Sequence, residues 1–310
     1  MRFKNFIFLF LIVSAFSVVT QGQKPADKWA KFEGTKIRYY DIGNAKSKNA
    51  LVLVHCWTCN VEFWKDNYNA FPNHRVIAMD LPGHGGSDKP KIDYSMEYFA
   101  KSVDAVMKKA GVKKAVLAGH SMGTPIIRRY YELFPEKTAG LIIVDGALLP
   151  FGPRAEVDKF FAPLFKDYKG GAATFIDGML QTAYPEVRPL IRSSMLATPD
   201  YVGLSAMKLM TDDAYAVHGR IEVPVLAVMA PSDFWPANLK DQYTSIAPKI
   251  DFQMWTGVSH FLQLEKPKEF NEQVNLFISK NKLLPNESPF SRMEIIIMPQ
   301  RPPAPKPKTK

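Results

Sequence analysis

The apolar run Val116-Leu117-Ala118 ends in Gly119-His120-Ser121-Met122-Gly123, and residues 122–134 beyond it place apolar side chains at helical spacing. A chain that passes from a buried strand into a helix within so few residues has to turn sharply. Gly119 and Gly123 carry no Cβ, which lets strand and helix come together on either side of a strained central residue. A G-x-S-x-G pattern in that context sets the Ser121 hydroxyl at the end of a sheet, with the positive end of a helix dipole directed at the same point. Ser121 is therefore the first candidate nucleophile. The bland reading is a turn built of common residues, and it leaves the strand before and the helix behind unexplained.

The same alternation runs through much of the chain. Residues 36–41 (KIRYYD) alternate as a strand; 50–54, 75–79, 114–119 and 140–145 are short apolar runs suited to strands buried on both faces. Residues 94–110 have helical spacing, with Phe99, Val103, Val106 and Met107 on one side. Strands alternating with helices imply crossover connections and a mostly parallel, doubly wound α/β sheet covered on both faces. The rhythm stops at Leu149-Pro150 and resumes with a strand in 222–229, followed by a last strand at 249–255 and a last helix at 266–281. The intervening residues 149–221 are helical in character without strand runs, which predicts a helical cap inserted between two core strands. Phe160, Phe161, Phe165, Phe175, Met179, Met195, Met207 and Met210 are candidates to line a pocket from above. Each taken singly is more ordinarily a residue packing cap onto core.

Composition narrows the function classes. The chain has 310 residues, 46% of them hydrophobic, enough for one sizeable domain with an insertion. Residues 6–19 (FIFLFLIVSAFSVV) follow Arg2 and Lys4 and are shorter than the roughly 20 residues that span a bilayer. This predicts a signal peptide over 1–22, cleavage before Gln23 and an exported, periplasmic or secreted protein with no stable membrane span; an uncleaved anchor is the alternative. The formal charge of +10 divides into +2 from residues 1–22, +3 from the Pro/Lys-rich tail 284–310, read as largely disordered, and +5 scattered over the body. No motif accompanies that charge, so no nucleic-acid partner is expected. The only two cysteines, Cys56 and Cys59, stand in His-Cys-Trp-Thr-Cys. A local disulfide and a pair of buried thiols are both compatible with the spacing, while thiol-disulfide exchange lacks the flanking signature of a thioredoxin-like unit.

Taken together, the strand ending at His55, the turn Asp80-Leu81-Pro82-Gly83-His84-Gly85-Gly86-Ser87-Asp88, the Ser121 turn, the cap and a late acid and histidine resemble the α/β-hydrolase fold over roughly residues 31–281. The resemblance implies a nucleophile elbow at Ser121 and an oxyanion hole formed by the backbone amides of Trp57 and Met122. Cys56 departs from the family's glycine after the first histidine. The resemblance further implies His260, in Gly257-Val258-Ser259-His260-Phe261, as general base, since it follows serine and acid in chain order. Asp233, 27 residues before it and just past the strand in 222–229, is the expected acid, with Asp145 at the end of the 140–145 strand as the rival.

A serine nucleophile implies acyl transfer to water on a small-molecule ester or related substrate, apolar if the cap lines the pocket, with no metal or organic cofactor. The histidines lack H-E-x-x-H or comparable ligand spacing. A carboxylate nucleophile, used by relatives that open epoxides or displace halide, is absent from position 121. The serine branch includes esterases, lipases, perhydrolases, C–C bond hydrolases, peptidases and lactonases. The alternative from another class is a ligand-binding or sensing homologue with little turnover.

Overall fold

The computed structural model describes residues 24–150, 152–211 and 219–285. The signal and tail segments expected at 1–22 and 284–310, apart from Leu284 and Pro285, lie outside the described residues. Among the described residues no helix is long and apolar enough to cross a membrane.

One eight-stranded sheet organises the described chain: β1 (Lys28–Phe32), β2 (Thr35–Ile42), β3 (Asn49–Val54), β4 (Val76–Met79), β5 (Lys114–His120), β6 (Thr138–Val144), β7 (Val225–Met229) and β8 (Ile250–Met254). Their order is β1-β2-β4-β3-β5-β6-β7-β8; β2 pairs antiparallel with β1 and β4, and the other pairs are parallel. The inner strands are uniformly apolar because both faces are covered. Ala50, Val52 and Val54 of β3 face one layer and Leu51 and Leu53 the other. The first layer includes α1 (Met96–Ala110) and α2 (Gly123–Leu133), which bury Phe99, Val103, Ile126 and Ile127. The second includes α9 (Pro267–Lys280), which follows the short α8 (Leu262–Glu265) and buries Phe270, Val274 and Phe277. Each fully buried side chain of this kind stabilises the fold by about 1.5–3 kcal/mol, so the sheet interior is its most strongly held part.

Two elements depart from the sequence expectation. β1, Lys-Trp-Ala-Lys-Phe, is an edge strand burying only Ala30 in its centre, and its lysines guard an otherwise open edge. It turns into β2 through Glu33 and Gly34, both at positive φ (45° and 82°), the backbone that a two-residue hairpin turn demands. The other is α7 (Leu239–Ile246), eight residues that bury only Leu239 and Tyr243.

Among the described residues, four helices and no strand lie between β6 and β7: α3 (Arg154–Lys166), α4 (Tyr168–Leu180), α5 (Arg188–Leu196) and α6 (Asp200–Met210). They form a layer of their own that meets the core over the carboxyl ends of the strands. There Tyr94 N–H donates to Ser205 Oγ (2.9 Å) and the Tyr201 hydroxyl to the Lys89 carbonyl (2.6 Å).

Candidate active site

Register places the functional loops side by side. Val54 pairs with Gly119, His120 with Val144, and Val144 with Val228, so β3, β5, β6 and β7 end at one level. The residues just beyond those ends, His55, Ser121, Asp145 and Ala230, therefore share one rim, the side on which parallel α/β sheets carry their ligands.

Ser121 occupies the strand-to-helix turn with φ 52°. A non-glycine residue in this left-handed region costs on the order of 1–3 kcal/mol and persists only where its surroundings impose it. Ser121 N–H donates to the Val144 carbonyl (3.0 Å), and its own carbonyl accepts from Thr124 N–H (2.9 Å). A Cβ on Gly119 would overlap the Gly123 backbone, and one on Gly123 would press on the Val54 carbonyl. No larger residue fits the turn. Met122 caps α2, whose first turn has neither a side-chain cap nor an acidic residue.

His260 Nδ1–H donates to Asp145 Oδ2 at 2.6 Å, and Asp145 Oδ1 accepts from Ala230 N–H at 2.8 Å. This fixes the histidine tautomer, leaving Nε2 with a free lone pair. Asp145 is buried and, like Ser121, holds a positive φ of 40°. The His260 loop is tied to the elbow itself: His120 Nε2–H donates to the His260 carbonyl (2.7 Å), and His120 Nδ1 accepts from the Gln263 side-chain amide (3.1 Å). The two imidazole rings lie 4.8 Å apart.

The carboxylate expected at Asp233 requires correction. Asp233 is exposed in the loop after β7 and makes no hydrogen bond with His260; Asp145 takes that place. What separates the two is the loop after each strand. The His260 loop folds back over β5, where its carbonyl is bound by His120, and β6 is the next strand. Asp145 immediately follows β6, whereas Asp233 stands four residues past β7 on a turn closed by Trp235 N–H to the Ser232 carbonyl. Gly146 carried a readable signal, because a Cβ there would overlap Thr124 Oγ1 and the Ser121 carbonyl. A glycine after a strand-terminal aspartate marks a backbone pressed against the elbow.

Trp57 and Met122 are both buried, at the ends of β3 and β5 respectively. His55 braces the Trp57 turn: its Nδ1–H donates to the Cys56 carbonyl (2.8 Å) and its Nε2 accepts Leu81 N–H (2.9 Å). Asp80, also buried, accepts from Val61 N–H (2.7 Å), Gly86 N–H (2.7 Å) and Arg38 Nε (2.6 Å), which locks the 80–88 turn beneath it. Burial pushes His55 down to about 4 and, together with the neighbouring His55 ring, His84 to about 3; His120 is lowered by burial and by His260. These three stay neutral and structural, while His260 keeps 21% of its side chain exposed. Of the candidate pocket residues, Phe160, Phe161 and Phe175 cluster: Trp57 meets Phe175 (5.7 Å), Phe175 meets Phe160 (6.1 Å), and Phe160 meets Phe234 at the surface (5.0 Å). Met195 and Met207 are core residues of the cap. Sequence reasoning did not anticipate Phe234, the His120–Gln263 tie or the cap contacts of Trp57.

Comparison with known proteins agrees with this architecture. A family model described as the alpha/beta hydrolase fold matches residues 49–177. The acetyltransferase component of an acetoin-cleaving system from Pseudomonas putida is 26% identical over 84% of this chain and 71% of its own length. A 2-hydroxy-6-oxononadienedioate/2-hydroxy-6-oxononatrienedioate hydrolase from Paraburkholderia phymatum is 24% identical over 80% of this chain and 93% of its own. Among solved structures, an esterase from Rhodococcus sp. superposes with a TM-score of 0.68 at 23% identity, covering 82% of this chain and 98% of that one.

Proposed function

We propose that this chain, whose fold is that of the α/β hydrolases, is a hydrolase that cleaves a carboxylic ester or related acyl bond through Ser121, His260 and Asp145. The observation that carries the reading is a histidine whose Nδ1 is held by a buried carboxylate at 2.6 Å and whose loop is tied by His120 to the turn of the strained serine.

In the proposed reaction His260 Nε2 takes the Ser121 proton as Oγ attacks the carbonyl carbon. Asp145 holds the ring and stabilises the imidazolium without taking the proton. The oxyanion is met by the amides of Trp57 and Met122, each worth on the order of 3 kcal/mol to the transition state. His260 then protonates the departing alcohol and, in the second half, activates water against the acyl-enzyme, releasing acid and free serine. The aromatic path from Trp57 through Phe175 and Phe160 to Phe234 supports an apolar or aromatic substrate. The basic start and the apolar stretch of residues 6–19 support export of the mature chain.

The test is hydrolysis of p-nitrophenyl esters from C2 to C12 by the protein and by Ser121→Ala, with fluorophosphonate labelling of both. Turnover and labelling that vanish in Ser121→Ala are expected. Wild-type turnover that survives the substitution would remove Ser121 from the mechanism.

A further inference from the structure

Cys56, where the family ordinarily has glycine, is joined by a disulfide to Cys59, with the two Cα atoms 5.2 Å apart and both residues buried. This resolves the choice left open by the spacing, and the ring it closes encloses Trp57 and Thr58. Cys59 N–H donates to the Cys56 carbonyl (3.2 Å), which also accepts from His55. Thr58 sits in the left-handed region at φ 54°, a conformation that L-residues seldom adopt.

The two enclosed residues are also where the cap attaches to the core. Trp57 Nε1–H donates to the Gly203 carbonyl on α6 (2.9 Å), and the indole packs edge-on against Tyr168 and Phe175 of α4. The Thr58 carbonyl accepts from Thr198 Oγ1, between α5 and α6 (2.9 Å). One four-residue turn thus holds Trp57, whose amide is the proposed oxyanion donor, and ties down two stretches of the cap.

Resting on the serine-hydrolase reading, we propose that the Cys56–Cys59 disulfide is a positioning device: it fixes the Trp57 amide as an oxyanion donor and couples that amide to the seating of the cap. Glycine at position 56 would leave the turn to the hydrogen bonds alone. The disulfide removes the alternative in which Thr58 relaxes to an unstrained backbone, the Trp57 peptide rotates, and the Gly203 and Thr198 contacts part. The cysteines act through Trp57; neither is assigned a bond to substrate.

The experiment compares the full chain with Cys56→Ser/Cys59→Ser for p-nitrophenyl acetate turnover, inhibition by an alkyl trifluoromethyl ketone and melting temperature. The hemiketal alkoxide formed by the ketone sits where the oxyanion would, so its Ki reads the donor directly. Since deleting one oxyanion donor costs about 10²–10³-fold, a donor that is present but misaligned is expected to lower kcat by about 10–100-fold and raise the ketone Ki by the same factor. KM and the Ki of p-nitrophenol, which report the seating of the cap, are expected to rise by a smaller factor than kcat falls. A folded double variant with unchanged kcat and ketone Ki overturns the proposal, as does mass spectrometry finding two free thiols in the untreated protein. Should the double variant fail to fold, the wild type treated with tris(2-carboxyethyl)phosphine decides: a loss of kcat that reverses on reoxidation supports the proposal, and full activity with two alkylatable thiols overturns it. Fluorophosphonate labelling of the wild type separates the two claims, since its absence would defeat the serine-hydrolase reading itself.

Discussion

At the floor of the site, His55, Ser121 and Asp145 each follow the last residue of a buried parallel strand, and hydrogen bonds between neighbouring strands and turns set their relative positions. The roof is assembled differently. α3 carries Pro163 inside the helix, and α4 contains Gly170, Gly171 and Gly178, residues that cost a helix interior about 1 kcal/mol each for glycine and more for proline. Within α3 only Phe161 and Leu164 are buried, and Phe160 is 47% exposed. The floor therefore holds atoms at fixed separations, which bond-breaking chemistry requires. The roof presents apolar surface on helices with less intrinsic stability, where side chains can change without disturbing the reacting groups. A functional residue can be located from the same contrast: it belongs to the floor if sheet register fixes it and to the roof if only side-chain packing does.

The largest effect should come from the floor. Ser121→Ala and His260→Gln are each expected to lower kcat by about 10⁴-fold or more on every ester, because the proposed nucleophile and base would act as a unit. A substitution that spared long-chain esters and abolished short ones would break the division, since it would make a floor residue selective. Next comes the contrast between the two aspartates. Asp145→Asn is expected to reduce kcat by about 10²–10⁴-fold through loss of the tautomer lock. Asp233→Asn, on an exposed loop, is expected to change kcat by less than twofold. Equal losses in the two variants would mean that the His260–Asp145 contact is not the working arrangement.

The aspartates also show what could and could not be read beforehand. The six inner strands, β8, the elbow, the cap interval and His260 were legible because apolar periodicity and paired glycines are local consequences of burial and close approach. β1 was not, because an edge strand buries one face and its lysines mask the period. Asp233 fits by its distance in sequence from His260, but the choice depends on how the His260 loop folds back toward β5 and on how far each aspartate stands past its strand, which are not local properties. The state of Cys56 and Cys59 was likewise undecidable from a C-x-x-C spacing, since it turns on a Cα separation of 5.2 Å set by the β3 turn.

A third prediction concerns stability and again falls on the floor. His55 and His84 are buried with folded pKa values of about 4 and 3, below the ordinary 6.5, and His120 is lowered as well. A histidine with a depressed folded value takes its proton in the unfolded chain first. Stability is therefore complete above pH 6.5 and declines as the pH falls toward 4 for His55 and 3 for His84. The slope approaches about 1.4 kcal/mol per pH unit for each such group. Urea midpoints measured at pH 7, 6 and 5 should fall progressively, and His84→Gln should flatten the slope while keeping a donor for the Pro82 carbonyl now bound at 2.9 Å. Midpoints that do not move between pH 7 and 5 would show that these rings are hydrated or charged in the folded protein.

The smallest effect should come from the roof. Phe160 and Phe234 touch at 5.0 Å and are about half exposed, so truncating either costs little core burial. Their rings end the aromatic path that begins at Trp57, where the distal part of a long acyl chain or an aryl leaving group would lie. Loss of one aromatic contact, on the order of 1 kcal/mol, corresponds to about fivefold in a rate constant. Phe160→Ala and Phe234→Ala are expected to reduce kcat/KM about fivefold for octanoyl esters, mostly through KM, while acetyl esters and the melting temperature stay nearly unchanged. Because the two rings form a single contact, the double variant should lose scarcely more than either single one. Uniform losses across chain lengths would instead mean that this rim supports the catalytic geometry, and the separation between floor and roof would fail at that contact.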